Sequence, residues 1–183
     1  MEAALWGLLG TVAGAAASIA TTVIASRNAA SLQSAAAELE REEKARAFQR
    51  DTLIELQDAV HDELRAVTIV YMADEAVYRE TRTWGRNLLG EELNNRVHLA
   101  GRRTLLLTER IADDDLRDHL KALRGLLANV QMARDPAIAE HAHVTAMDMG
   151  TSVMEHIGTV LRSLYSGSWP NNSFKPKPLR GSA

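Results

Sequence analysis

An acidic residue three positions before a histidine is the spacing in this 183-residue sequence that most resembles a metal site. It occurs twice, as Asp58 with His61 and as Glu140 with His143. Facing helices of di-iron bundles carry such acid-x-x-His pairs. Both pairs fall beside the apolar stripes of their helices, so we expect them to face water, whereas His141 is expected near an inner face. The sequence therefore predicts no metal site and no cofactor.

Nucleophilic catalysis has equally little support in the residue pattern. Ser152 precedes His156 by one helical turn, a spacing that any helix produces. The Gly-x-Ser-x-Gly, phosphate-loop and His-Glu-x-x-His motifs are absent from the sequence. Without cysteine there is no thiol nucleophile, disulfide or thiolate ligand. We therefore predict no catalytic residue and a protein that is not an enzyme.

The composition favours helices. Glycine and proline are few, at 11 and 4 residues, and aromatic residues make up 4% of the chain. A core must then consist of aliphatic side chains and methionine. The net charge of -3 argues against nucleic acid as the main partner. The predicted fold class is all-α.

Residues 3–26 contain no charged side chain, and a helix of that length rises about 36 Å. The hydrocarbon core of a bilayer is about 30 Å thick, so residues 1–27 are predicted to form a transmembrane anchor. Two alternatives stay open. The first is a signal peptide cleaved near Ala15–Ala17, although Glu2 stands where a positive charge is usual. The second is an alanine-rich helix buried in a soluble assembly.

Basic residues are confined to the C-terminal side of this segment. They are Arg27, Arg41, Lys44, Arg46 and Arg50. Positive charges flanking a membrane span stay in the cytoplasm. We expect a single-pass protein of the cell membrane with its N-terminus outside and its remaining residues cytoplasmic.

Small residues recur on one side of the predicted span, at Gly7, Gly10 and Gly14. Glycines at such spacing let two spans pack closely in lipid, and a homo-oligomer would follow. In so alanine-rich a segment they are equally explained as small residues without a packing role.

Four apolar stripes follow a charged segment, 28–47, that is interpreted as a helical stalk. The stripes predict an antiparallel four-helix bundle over 48–166, because the connections between them are short. They comprise Leu53, Leu56, Val60, Leu64, Val67, Tyr71, Asp74 and Tyr78; Leu93, Val97, Ala100, Thr104, Leu107 and Ile111; Leu116, Leu120, Leu123, Leu127 and Val130; and Ile138, Ala142, Thr145, Met149, Val153, Ile157, Val160 and Leu164. Met132, Met147 and Met154 are also expected to fill the core.

Turn and capping residues mark where these helices begin and end. Trp84-Gly85 and Gly90 separate the first two, and Glu91 begins the second. Asp113 is the expected N-cap of the third helix. Asp135-Pro136 ends the third and caps the fourth, which stops at Ser166-Gly167.

The last segment, 167–183, combines aromatic, basic and proline residues, and it is predicted to be a disordered basic tail. A contact with lipid or with a partner is a second interpretation. The residues that would make it are Trp169, Phe174, Lys175, Lys177 and Arg180.

The run from Phe48 to Asp58, FQRDTLIELQD, resembles one in uncharacterised single-pass helical membrane proteins of actinobacterial type, rich in alanine and arginine. The resemblance covers about residues 40–125. It implies a bacterial origin and one helical domain, without an activity.

The function that we expect is binding. A membrane-anchored helical module would act as a scaffold, adaptor or regulatory subunit that brings an unknown protein partner to the membrane. The alternative is a membrane-active oligomer whose Gly/Ala/Thr-rich span forms a pore. Thr11, Ser18 and Thr22 only partly align into the polar stripe that a pore needs, so the anchor is favoured.

Overall fold

The computed structural model describes residues 2–85 and 90–166, and these residues form four α-helices without a β-strand. The helices are α1 (Glu2–Thr81), α2 (Glu91–Thr108), α3 (Asp114–Met132) and α4 (Pro136–Tyr165). Within α1 the side chains of residues 2–6, 8, 9, 12, 13 and 16 are outside the described set. The all-α prediction is confirmed.

The chain divides into two compact units, and the first is Met1–Arg46. In this unit every described side chain from Gly7 to Ala36 is exposed, including the apolar Ile19 and Leu32. Among the described residues, no helix has a stretch both long enough and apolar enough to cross a bilayer. The transmembrane prediction thus finds no support there. Four apolar side chains of the uncharged run, those of Leu5, Leu8, Leu9 and Val12, lie outside the described set.

The second unit begins at Ala47 and holds the bundle. Its first two helices run antiparallel. Near the start of the unit, the Gln49 side chain donates to the carbonyl of Arg110 at 2.9 Å and accepts from the Ala112 amide at 3.0 Å. Further along α1, the Thr104 hydroxyl donates to the Ala59 carbonyl at 3.2 Å. Residue numbers therefore rise along α1 as they fall along α2.

Helix α4 is antiparallel to both α1 and α3. The Arg50 guanidinium lies 5.5 Å from the centre of the Tyr165 ring, and the Thr68 hydroxyl lies 3.2 Å from Nε2 of His143. Between α3 and α4, His119 contacts His156. These contacts place successive helices in alternating directions, and the helical-bundle prediction is confirmed.

The stripe of α3 is the most regular part of the core. All five of its predicted residues, from Leu116 to Val130, are at most 5% exposed. They pack with Ile111 of the α2–α3 connection and with large aliphatic residues of the other three helices. The latter include Leu53, Leu56, Val60, Val67, Leu107, Val153, Ile157 and Leu164. The 4-3-4-3 spacing of α3 predicted its buried face correctly because leucine occupies every inward position.

The inner face of the first half of α4 was predicted only in part. Ala142 is buried as predicted, but Ile138 is 61% exposed, and Thr145 and Met149 are only half-buried. The buried residues of that segment are small, namely Ala139, Ala142, Ala146 and Gly150. Gly150 makes room for Leu64 of α1, because a Cβ atom at Gly150 would lie 2.9 Å from Cδ1 of Leu64.

Several other residues that were predicted to lie in the core are exposed or only partly buried. Met132 is 77% exposed and does not fill the core, whereas Met147, Met149 and Met154 pack against it. Seven further stripe residues are only half-buried. These are Leu64, Tyr71, Asp74, Tyr78, Leu93, Val97 and Ala100.

Two aspartates cap helices as expected. The Asp113 carboxylate accepts a hydrogen bond from the Leu116 amide at 2.8 Å. Asp135 accepts from the amides of Ala137 and Ile138, at 2.9 and 3.2 Å. Each cap satisfies amides that the first helical turn leaves without a partner, which typically contributes about 1 kcal/mol.

We predict that Leu123→Asp unfolds the bundle. Leu123 is 1% exposed in the middle of the α3 stripe, and burying an unpaired charge there costs several kcal/mol. This is a large share of the roughly 5–15 kcal/mol of a typical domain. Lys121→Asp is the control, since Lys121 is exposed on the same helix and should change stability by less than about 1 kcal/mol. Similar melting temperatures for the two variants would contradict the assigned core.

Candidate functional site

The glycines predicted to pack against a second span lie in the first unit, Met1–Arg46. A Cβ atom added at Gly7, Gly10 or Gly14 would meet nothing within 4 Å. No described neighbour therefore requires glycine at these positions, and a role in span packing stays a prediction.

The predicted contact residues of the tail all lie outside the described residues. They are Trp169, Phe174, Lys175, Lys177 and Arg180. The lipid or partner contact proposed for them stays a prediction.

The acid-x-x-His pairs do not form a site. Asp58, His61 and Glu140 are exposed, as expected. The assignments of the other two histidines were wrong: His141 is exposed, and His143 is half-buried against α1. Over the described ranges, no three His, Cys, Asp or Glu side chains come together in a group that could hold a metal ion.

His143 belongs to an aromatic cluster between α1 and α4. Its ring stacks on Tyr71 with centroids 4.4 Å apart and an interplanar angle of 8°. Burial lowers the pKa of His143, because the charged imidazolium loses solvation. The ring is therefore favoured in its neutral form, which suits stacking on tyrosine and a hydrogen bond with Thr68.

Trp84 extends this cluster beyond the end of α1. Its ring lies 6.0 Å from Tyr71 and 5.9 Å from Tyr78. The chain turns back here because Gly85 has a φ of 69°, a conformation that glycine adopts without steric cost. The indole Nε1 donates to the carbonyl of Ala133 at 3.1 Å, which fixes the turn against the α3–α4 connection.

A cleft of about 530 Å³ opens between this turn and the end of α3. It is lined by Val70, Asp74, Trp84, Gly85, Gln131, Met132, Ala133 and Arg134. The apolar surface of the Trp84 indole and of Met132 thus lies beside the carboxylate of Asp74 and the guanidinium of Arg134. Such a mixture suits the binding of an apolar side chain with polar groups around it. Among the described residues that line it, none is a serine, histidine or lysine that could act as nucleophile or base.

A second polar feature is buried inside the bundle. Glu63 is 7% exposed, and three helices meet at its carboxylate. The Thr104 hydroxyl of α2 hydrogen-bonds to it, and Arg124 Nε of α3 lies 3.8 Å from Oε1. Gly101 leaves room for it, since a Cβ there would be 3.3 Å from Oε1.

The neighbours of Glu63 only partly compensate the charge of its buried carboxylate. Burial raises the pKa of this carboxyl, and the opposing effects of Thr104 and Arg124 do not reverse the shift. The Arg124 Nε atom is itself buried without a hydrogen-bond partner among the described residues. A separation of 3.8 Å is too long for a hydrogen bond. The carboxylate is therefore held in a site that favours its protonated form.

Sequence reasoning missed both His143 and Glu63. The available signal for Glu63 was its register: Leu56, Val60, Glu63, Val67 and Val70 continue the 4-3-4-3 spacing of the buried face. The spacing places Glu63 in the core, but a charged residue at such a position is normally read as the edge of the stripe.

No protein-family model, curated protein or solved structure matches this chain. The cleft and the buried carboxylate are therefore interpreted from their own chemistry.

We predict that Glu63→Gln stabilises the protein at pH 7 by about 1 kcal/mol, the scale of one poorly satisfied buried group. Because the folded-state pKa of Glu63 is raised, the native state binds the proton more tightly than the unfolded chain. Stability contributed by protonated Glu63 is complete below the ordinary value of 4.5 and is lost as the pH rises through the raised pKa.

Thermal melts of both proteins from pH 4 to pH 8 would measure this effect. The extra stability of the Glu63→Gln variant should shrink toward pH 4. Titration of His143 affects both proteins equally, so it does not contribute to the difference between them. The exposed Glu55→Gln is the control and should give no pH-dependent difference. A Glu63→Gln protein that is less stable than the parent at pH 7 would show that the carboxylate is well paired.

Proposed function

We propose that this chain is a membrane-attached helical interaction module whose protein partner binds in the cleft beside Trp84. The observation that carries the proposal is the cleft itself. Met132, 77% exposed, and the indole offer apolar surface next to Asp74 and Arg134. Apolar anchors with a polar surround are typical of protein-binding sites. Binding is favoured over catalysis because the described lining lacks a nucleophile with an adjacent base.

The proposed attachment is through residues 3–26, with the N-terminus outside and the bundle in the cytoplasm. It depends on the uncharged sequence and on the basic residues that follow it. The described hydroxyls are compatible with lipid: Thr11, Thr21 and Thr22 donate to backbone carbonyls one turn earlier, at 2.9 to 3.0 Å. A hydroxyl satisfied within its own helix costs less to bury.

The same bonds favour an anchor over a pore. A pore-lining helix presents hydroxyls to water along one stripe. In this helix Thr11, Thr21 and Thr22 direct their protons to the backbone instead. Gly7, Gly10 and Gly14 would let two anchors pack, so a homo-oligomer is part of the proposal. The basic tail, with Lys175, Lys177 and Arg180, is proposed as a second contact with anionic lipid or a partner.

We predict that the bundle folds without its N-terminal segment and that this segment carries the protein to membranes. Residues 40–170, expressed alone, should be soluble and give a helical circular dichroism spectrum with a cooperative melt. The full chain should stay with the membrane fraction after carbonate extraction.

The matched control is the full chain carrying Ala15→Lys and Ser18→Lys, which adds charge without shortening the protein. Each lysine near the centre of a span costs about 2.5–3.5 kcal/mol, so this variant should leave the membrane fraction. Membrane retention equal to that of the parent would refute the anchor. An insoluble or unfolded 40–170 product would mean that the first segment supports the bundle.

We predict that Met132→Asp abolishes partner binding without unfolding the protein. Met132 is mostly exposed, so its melting temperature should be nearly unchanged, whereas an aspartate would place a charge on the apolar surface of the cleft. A photo-reactive amino acid in place of exposed Gln131 would report the contact by crosslinking in cells.

Leu106→Asp is the control, because Leu106 is an apolar residue on α2 that is also exposed, at 51%, and lies outside the cleft lining. Crosslinks at position 131 should survive Leu106→Asp and disappear with Met132→Asp. Equal crosslinking in the two variants would exclude the cleft as the binding surface.

A further inference from the structure

Two histidines meet across α3 and α4, away from the cleft. Nδ1 of His119 lies 2.9 Å from Nδ1 of His156, and the rings are nearly perpendicular, with centroids 5.1 Å apart. Two neutral imidazoles make this contact when one nitrogen donates and the other accepts. The Nδ1 lone pair of one imidazole therefore points at the Nδ1 atom of the other ring.

Asp113 lies near this pair. Its Oδ1 atom lies 3.8 Å from Nε2 of His156, on the far side of the ring, a distance too long for a direct hydrogen bond. The negative charge on this side of the ring favours a proton on Nε2, which leaves Nδ1 of His156 as the acceptor. Carboxylates commonly orient metal-binding histidines from this side, through the other ring nitrogen.

We propose that His119 and His156 bind a divalent transition-metal ion, such as Zn²⁺, through their Nδ1 atoms. Imidazole nitrogens are suitable ligands for Zn²⁺, Ni²⁺ and Cu²⁺. Two nitrogens at 2.0–2.1 Å from a tetrahedral ion lie about 3.3 Å apart, so the rings need to separate by about 0.4 Å. His119 is exposed and His156 half-buried, which leaves the former free to rotate.

Binding requires no net loss of a proton. The His119 ring exchanges its Nδ1 proton for one on Nε2, which faces away from the ion, while His156 keeps the proton on its Nε2. Two protein nitrogens then hold the metal, and its other positions are open to water or to a donor from a bound molecule. The ion would link α3 to α4 on the surface of the bundle, independently of the proposed partner cleft.

Zinc titration of the full chain in detergent, by isothermal titration calorimetry at pH 7.5, tests the proposal. We expect one site per chain and a rise in melting temperature when zinc is added. His119→Ala and His156→Ala should each weaken binding by at least about tenfold, since loss of a ligand exceeds the effect of losing an orienting neighbour. Both variants should melt like the parent without zinc, because neither residue belongs to the core.

His98→Ala is the matched control, as His98 is an exposed histidine on α2. Zinc affinity should be unchanged in that variant. The proposal is overturned if the parent binds no zinc, or if His98→Ala weakens binding as much as His119→Ala, which would indicate scattered surface sites. A hydrogen bond between two histidines without affinity for metal would be the remaining role of the pair.

Discussion

The packing of α1 side chains on a face of small residues in α4 is the constraint on which the rest of the bundle depends. Gly150 makes room for Leu64 of α1, since a Cβ atom at Gly150 would lie 2.9 Å from Cδ1 of Leu64 and force it to shift. Ala139 and Ala146, fully buried on the same face of α4, extend the small surface. Along the same pair of helices, Tyr71 stacks on His143. Tyr71 in turn packs against Trp84, which lines the cleft, so the aromatic cluster connects this helix contact with the cleft.

Buried polar groups then fix how α2 aligns with α1. The Thr104 hydroxyl donates to the Ala59 carbonyl and lies beside the Glu63 carboxylate, and the Gln49 side chain hydrogen-bonds to the backbone beyond the end of α2. A shift of one turn would keep the apolar stripes in contact but leave these groups without partners. Unsatisfied buried groups cost about 1–3 kcal/mol each, more than a small change in apolar packing. The incompletely paired Glu63 is destabilising by itself, yet it disfavours alternative alignments of the same helices.

Regular leucine spacing and capping aspartates could be predicted because they act within one helix. The α3 stripe and the roles of Asp113 and Asp135 follow from local rules, and the structure confirms them. The inner face of the first half of α4 could not be predicted in this way. Hydrophobicity favours Ile138 and Met149 as core residues, whereas the buried positions hold alanine and glycine, and Gly150 makes room for Leu64, a residue distant in sequence. Glu63 and the His119–His156 pair depend on partners distant in sequence, so spacing alone did not reveal them.

The first unit raises a different physical question, namely what stabilises a helix whose described side chains from Gly7 to Ala36 are all exposed. Most helices in proteins owe their stability to the burial of an apolar face, and here no described contact supplies it. Alanine favours the helix, but the exposure of Ile19 and Ile24 to water is unfavourable, since both side chains are about 60% or more exposed. A bilayer would cover these apolar side chains. Because it contains no water, it would also favour a helix, in which the backbone groups hydrogen-bond to one another. Pairing with a second copy would cover only one face of the helix. The proposed membrane attachment would cover every face of this helix, because residues 3–26 carry no charged side chain on any face.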